Sequence, residues 1–314
     1  MYSKLNLSTI DEFCSKYDIV CFSETKTELY TFENTHLEDY TTLFIPTENE
    51  PSFFAAHGLC ILVKDYLKDH VSVVKNTSSK FVLWLKVDSH VTGFEFIIGA
   101  VYIPCMSSNY FNVDIFDDIS DDLYKFDSPF MLIGDFNSRT GELQDLFDVQ
   151  DYVADLYGLN EIDRIPDFVR TNHDIDSFKR YNCDKHVNSS GRNLIDLCKI
   201  HDMVIINGRN GDDKYTGDFT CYTHNGASTI DYALVSPGLL SKTSNFCVHE
   251  FDKLLSDTHC AISLSISSAI ENIASDFVAP DQVVTPPVNE NAHENVSFKW
   301  NSNSTNALGR FRME

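Results

Sequence analysis

Four places in this sequence set a carboxylate, an amide or an imidazole beside an apolar run, where a strand can bury its body and still present a terminal side chain to a cleft. In DIVCFSETKT, Glu24 follows a wholly apolar stretch. A carboxylate there is either an oxygen ligand of the kind Mg²⁺ takes or a surface-loop residue. In FMLIGDFNSRTG, an apolar run leads into Gly134-Asp135-Phe136-Asn137. Read as extended chain, the period of two puts Asp135 and Asn137 on one side. An anion beside an amide can position a water and hydrogen-bond a phosphoryl oxygen; the same two residues also suit an Asx turn.

Asp231 interrupts the apolar segment STIDYALV. A buried carboxylate costs on the order of several kcal/mol unless it is paired, so a partner is expected. In LLSDTHCAISLSI, Ser256, Asp257 and His259 precede another apolar run, and His259 is the natural partner for Asp231. Two metal-type carboxylates (Glu24, Asp257), an Asp/Asn pair and an Asp–His pair suit metal-assisted phosphodiester hydrolysis far better than acyl transfer.

The elements that must hold these residues are legible as short apolar runs: DIVCF (18–22), GLCILV (58–63), FVLWLKV (81–87), FEFIIGAVYI (94–103), FMLIGDF (130–136), MVIIN (203–207), STIDYALV (228–235) and CAISLSI (260–266). Their β-branched and aromatic content reads as strand, and consecutive apolar positions imply cover on both faces. Helices are the expected covers. One begins near Ser8, with Ile10, Phe13 and Tyr17 at helical spacing; a second carries Phe116, Ile119, Leu123 and Phe126; a third carries Leu194, Leu197, Cys198 and His201. On the second, Asp117, Asp118, Asp121 and Asp122 read as a solvated face. Intermixed strands and helices point to stacked sheets flanked by helices.

Of the 314 residues 43% are hydrophobic, ordinary for a globular core, while 24 Lys and Arg against 47 Asp and Glu give a net charge of −23. Phosphate backbones repel so acidic a surface unless cations intervene, which argues against a passive DNA-coating protein. An enzyme whose carboxylates hold a divalent ion remains open, because the ion inverts the local electrostatics. The nine cysteines are scattered without a CxxC pair, so they read as small side chains in a reducing compartment. No run approaches the roughly 20 apolar residues of a membrane span, and the start MYSKLNLSTIDEF lacks a signal-peptide core. The expectation is an intracellular protein without a membrane partner, nuclear if it acts on chromosomal DNA. Periodicity fades after about residue 267, so residues 1–267 are read as the folded domain and 268–314 as a disordered linker or tail.

SETK (23–26), GLCILVK (58–64), VYIP (101–104), GDFN (134–137), IDY (230–232) and SD-x-H (256–259) occur in the order and spacing of the endonuclease/exonuclease/phosphatase superfamily. The chain resembles that superfamily over roughly residues 5 to 267, and within it the longer strings GDFNSRTG, NSSGRNLIDLC (188–198), INGR (206–209) and FTCYTHNGASTIDYALVS (219–236) resemble the endonuclease region of non-LTR retrotransposons. The resemblance implies a DNase I-like α/β fold, a four-layered sandwich of two mixed sheets flanked by helices. It implies a metal-dependent DNA endonuclease that nicks a strand and leaves a 3′-hydroxyl. In a full-length element a reverse transcriptase follows, and none is present here. Carried over by residue, Glu24 and Asp257 serve Mg²⁺ or Mn²⁺, and Tyr102 contacts phosphate. Asp135 activates water, Asn137 hydrogen-bonds the scissile phosphate, and His259, oriented by Asp231, stabilises the transition state.

The sequence departs from the pattern twice. The superfamily opens with a strand bearing an Asn that reaches metal and phosphate; this sequence begins after it, Asn6 cannot replace it, and a neighbouring strand edge is expected to lie unpaired. Thr258 separates Asp257 from His259, a step of roughly 3.3 Å unless a local irregularity absorbs it. Two other readings remain open: an inactive relic that keeps the fold as a binding module, and a phosphatase acting on small or lipid phosphates.

Overall fold

The computed structural model describes residues 8–23, 39–44, 59–146, 179–268 and 295–301. Its strands are β1 (Ile19–Phe22), β2 (Tyr40–Phe44), β3 (Cys60–Lys64), β4 (Val71–Val73), β5 (Val82–Val87), β6 (Phe96–Tyr102), β7 (Phe130–Asp135), β8 (Val204–Ile205), β9 (Cys221–Thr223), β10 (Gly226–Ser228), β11 (Asp231–Val235), β12 (Thr243–Val248), β13 (Ile262–Ser267) and β14 (Asn295–Asn301). The helices are α1 (Ser8–Ser15), α2 (Ser89–Thr92), α3 (Ile115–Leu123), α4 (Ser189–Ile200) and α5 (Pro237–Leu240). One sheet runs β12-β13-β14-β1-β3-β2, the other β4-β5-β6-β7-β11-β8, and β9 and β10 form a separate hairpin.

The consecutive apolar runs resolve into two buried faces. Along β1, Ile19 and Cys21 join the core between the sheets, which also takes Ile61 and Val63 of β3, Met131 and Ile133 of β7, and Ala233 and Val235 of β11. The alternate residues Val20 and Phe22 face outward, into a cluster with Cys14 and Tyr17. The outer face of the second sheet, with Trp84, Leu132 and Leu234, packs on Phe116, Ile119 and Leu123 of α3 and on Leu194 and Cys198 of α4. Helix, sheet, sheet, helix are therefore the four layers, and inner strands such as β1, β6, β7 and β11 bury both faces as their lack of polar alternation requires.

On α3 the acidic residues divide. Asp117 and Asp121 are exposed, but Asp122 is fully buried. Its carboxylate accepts hydrogen bonds from the Ser79 N–H at 2.9 Å and the Trp84 indole at 3.0 Å. The expectation of a solvated face fails at Asp122 because helical periodicity turns that position toward β5, where unpaired donors need an anion. The nine cysteines are all free, and six of them are buried.

The C-terminal region also departs from the sequence reading. Within the segment read as tail, β14 lies in the middle of the first sheet, parallel to β1 with Ile19 opposite Phe298, and antiparallel to β13 with Ile262 opposite Trp300. A neighbouring strand edge was expected to lie unpaired; β14 pairs with both β1 and β13. The segment VSFKW alternates apolar and polar residues, the period-two signature of a strand, within a composition otherwise typical of linkers.

Candidate active site

Period two explains how one row of side chains forms. Met131 and Ile133 point between the sheets, so the last residue of β7, Asp135, does too; Ala233 and Val235 place the first residue of β11, Asp231, on the same face. In the ladder Asp135 is opposite Asp231 on one side and Tyr102 of β6 on the other. Tyr102, Asp135 and Asp231 thus stand on adjacent strands where the inter-sheet core ends, and all three are buried.

His259 approaches from the other sheet, three residues before β13 begins. Its Nδ1 lies 2.9 Å and 3.1 Å from the two carboxylate oxygens of Asp231. Nε2 faces the Cys221 Sγ at 3.6 Å. Burial works against the imidazolium, but the facing Asp231 charge and its hydrogen bond outweigh it and hold the His259 pKa well above the ordinary histidine value. One ligand atom each from Asp135, Asp231 and His259 can be chosen so that all lie within 4.8 Å of one another.

The residue between Asp257 and His259 is absorbed in a turn. The Ser256 Oγ accepts the N–H groups of both Thr258 (3.3 Å) and His259 (2.9 Å), and Tyr222 N–H donates to the Thr258 carbonyl at 2.7 Å. His259 keeps its register, forming a bridge with Cys221, while Asp257 is half-buried and outside the Asp135–Asp231–His259 group. Glu24 lies outside the described residues; Ser23 before it is buried at the end of β1.

Asn137 reaches Asp135, though not by strand alternation. Its φ is +47°, so the chain leaves the extended conformation there. Its backbone N–H donates to the Asp135 Oδ1 at 2.8 Å, an Asx turn, and its Nδ2 donates to the Asp135 Oδ2 at 3.1 Å and the Ile103 carbonyl at 2.8 Å. Both carboxylate oxygens of Asp135 are thereby oriented.

Several supporting residues carried no assigned role in the sequence reading. Asn188 caps α4 through Gly191 N–H at 2.7 Å, and the same Oδ1 accepts the Arg139 N–H at 3.0 Å, tying the loop after Asn137 to that helix. A Cβ on Gly191 would lie 1.9 Å from the Arg139 carbonyl oxygen, which is why NSSG and GDFNSR work as one unit. Arg139 and Asp184 form a two-pronged ion pair at 2.7 and 2.6 Å, and Asp184 also accepts the Thr229 N–H, two residues before Asp231. Burial raises and the Arg139 and backbone hydrogen bonds lower the Asp184 pKa, with a net fall. Asn207 braces β11 from its other side, donating to the Asp231 carbonyl and accepting from Ala233 N–H, both at 3.0 Å. The short polar strings NSSG and INGR were the visible signal for these braces. The backbone of β14 ends at Asn301, opposite Phe22 of β1; the alternation Val296, Phe298, Trp300 was the signal for that strand.

Two packed mixed sheets between helices, with acidic residues and a paired histidine at the strand ends, define the architecture of a DNase I-like phosphoryl hydrolase. The model of the endonuclease/exonuclease/phosphatase family matches residues 3–257, and the chain belongs to that family of metal-dependent nucleases and phosphatases. No curated protein sequence matches it. Among solved structures, it is similar to the endonuclease domain of TRAS1, a telomere-specific non-LTR retrotransposon, with TM-score 0.51 and 12% identity over 84% of this chain and 90% of that one. The AP endonuclease LMAP from Leishmania major gives TM-score 0.54 and 14% identity over 82% of each chain. The Xenopus laevis APE2 catalytic domain gives 0.53 and 12% over 83% and 87%. These likenesses establish the fold. Among the described residues no helix is long and apolar enough to cross a membrane.

Proposed function

We propose that this chain is a divalent-metal-dependent DNA endonuclease of the retrotransposon type, hydrolysing one phosphodiester and leaving a 3′-hydroxyl. The observation that carries this reading is the buried group of Asp135, Asp231 and His259 within 4.8 Å, assembled from both sheets. Its donors are mostly hard carboxylate oxygens, which fit Mg²⁺ or Mn²⁺. Glu24 and Asp257 are the residues we assign to hold the ion, beside Asp135. A bound ion offsets the repulsion between the acidic chain and phosphate and polarises the phosphoryl oxygen.

The side chains divide the remaining work. Asp135, its two oxygens fixed by Asn137, takes the proton of the attacking water. Asn137 then exchanges its Nδ2 contact with Asp135 for a phosphoryl oxygen. His259, with Nδ1 held by Asp231, presents Nε2–H to the charge that develops on the pentacoordinate phosphorus, and Tyr102 supports the phosphate from β6. The relic reading rests on the departure at the first strand and on the acidic surface, and measurable cleavage that Asp135→Asn abolishes would remove it.

Supercoiled-plasmid nicking at low salt tests this. The full chain with Mg²⁺ or Mn²⁺ is expected to nick, and Asp135→Ala and His259→Ala are each expected to lose about 10³-fold or more in rate with unchanged circular dichroism. A folded chain that leaves plasmid intact while releasing phosphate from inositol phosphates would replace this reading with the phosphatase one.

A further inference from the structure

A second group of ligand-type side chains lies at the opposite end of the catalytic sheet. His70 directly precedes β4, Asp88 directly follows β5, and His90 sits in the short helix α2. The β4–β5 ladder ends with Val71 opposite Val87, and the Asp88 N–H then donates to the His70 carbonyl at 3.0 Å, so the two residues face each other on a fixed backbone. Asp88 also caps α2, accepting the His90 N–H at 2.7 Å, which fixes the third residue relative to the other two. None of the three is carried on a long loop.

Their side chains converge. The two Asp88 carboxylate oxygens lie 3.0 Å from the His70 Nδ1 and 3.1 Å from the His90 Nδ1. The rings are 5.6 Å apart, and one ligand atom from each residue falls within 4.8 Å of the others. Ligands about 2.0–2.1 Å from a tetrahedral Zn²⁺ stand about 3.4 Å from one another. The two observed N···O separations are therefore within a few tenths of an ångström of what an ion between them requires. Closing the ring-to-ring gap falls to His90, whose side chain is 79% exposed and free of core packing.

We propose that His70, Asp88 and His90 form a binding site for a borderline transition-metal dication, Zn²⁺ or Co²⁺, that fastens the β4–β5 edge of the sheet and leaves a fourth coordination position open to solvent. Two imidazoles and one carboxylate match such an ion rather than Mg²⁺, which demands an oxygen shell. The site is separate from the candidate active site. Val87 pairs with Phe96, the first residue of β6, whereas Tyr102, its last residue, stands in the row with Asp135. Six residues of strand place the two groups about 20 Å apart. An ion here joins the outermost strand β4, only three residues long, to the end of β5 and to α2.

The test uses the full chain, titrated with Zn²⁺ by calorimetry and with Co²⁺ by visible absorption, alongside His70→Ala/His90→Ala, Asp88→Asn and His259→Ala. Asp88→Asn keeps a side chain able to cap the helix while removing the anionic ligand. The wild type is expected to bind one more equivalent of Zn²⁺ than the double variant, and His259→Ala is expected to retain that equivalent. Asp88→Asn and the single change His90→Ala, at an exposed position that cannot unfold the sheet, are expected to weaken this site tenfold or more. His90→Ala should also lose the Zn²⁺-induced rise in melting temperature and keep plasmid nicking. Equal stoichiometry and equal thermal shift in wild type and folded double variant would overturn the proposal, leaving a hydrogen-bonded cluster only. Because the readout is binding, its outcome is independent of whether the chain cleaves DNA.

Discussion

The two sheets reach the same seam by different routes. The sheet β4-β5-β6-β7-β11-β8 is drawn from residues 71–235, and its contribution to the site, Tyr102, Asp135 and Asp231, is a row of direct ladder partners. The sheet β12-β13-β14-β1-β3-β2 gathers segments from both ends of the sequence, and its contribution, His259, comes from a position that flanks a strand, three residues before β13. Ladder partners are fixed by the hydrogen bonds of their own sheet. Flanking groups are fixed only once distant segments have closed on one another, at a loop-closure cost that the local sequence does not reveal. The acid row is therefore built into one sheet, while the imidazole, and the ion ligands we assign beside it, depend on the assembly of the other.

Ending the chain after Ser268 breaks this dependence most severely. It removes the ladders from both β1 and β13, each hydrogen bond being worth about 0.5–1.5 kcal/mol. The expected loss is on the order of 5 kcal/mol or more, concentrated in one sheet. Hydrogen exchange should show lost protection in β1 and β13 while β6, β7 and β11 stay protected, and nicking should vanish. A synthetic peptide spanning 290–314 is expected to restore both. Uniform loss of protection in both sheets would refute the separation.

On the other sheet the corresponding break is electrostatic. Asp145 is fully buried, accepts the Ile205 N–H at 2.8 Å, and pairs with Arg209 through two contacts. Burial raises and the guanidinium of Arg209 lowers its pKa, with a net fall. Arg209→Ala leaves that carboxylate uncompensated and is expected to cost about 3–5 kcal/mol in chemical denaturation. A smaller effect is expected from Gly191→Ala, where the new Cβ meets the Arg139 carbonyl. About 1–3 kcal/mol of stability should be lost, with a disproportionate fall in rate because the loop that orients Asp135 must shift.

How much of this was legible follows from the same contrast. Strands buried on both faces declared themselves as consecutive apolar runs, and Asp231 declared its need for a partner because an unpaired carboxylate cannot sit in such a strand. The edge and hairpin strands did not: β2 is YTTLF, β4 is three residues, β9 and β10 are short and polar. Their pairing is decided by neighbours rather than by their own pattern. β14 was hidden by composition, since its alternation lies beyond a proline-rich acidic stretch. Asn188 and Asp184 act on loop backbone 40 or more residues away in sequence, and Asn207 on the backbone of β11, 24 residues away, and nothing in their own flanks specifies those acceptors and donors.

The mildest test reads the junction between the sheets through His259. His259 has a folded pKa held well above its ordinary value by Asp231, against the opposing effect of burial. A raised folded pKa means that the pair's contribution to stability is complete below the unfolded value, about 6.5, and is lost as pH rises through the folded one. With chelator present, stability should therefore fall between pH 6.5 and 8 by up to about 1.4 kcal/mol per pH unit, before the buried thiols, raised by their own burial, begin to contribute. His259→Gln removes the titrating group and should flatten this segment of the melting-temperature profile. Asp231→Asn removes the charge that holds the proton and should flatten it too, through the other sheet. A slope that survives His259→Gln would assign the titration elsewhere and detach the histidine from the carboxylate row; a slope lost in both variants would make the Asp231–His259 contact the point at which one sheet senses the other.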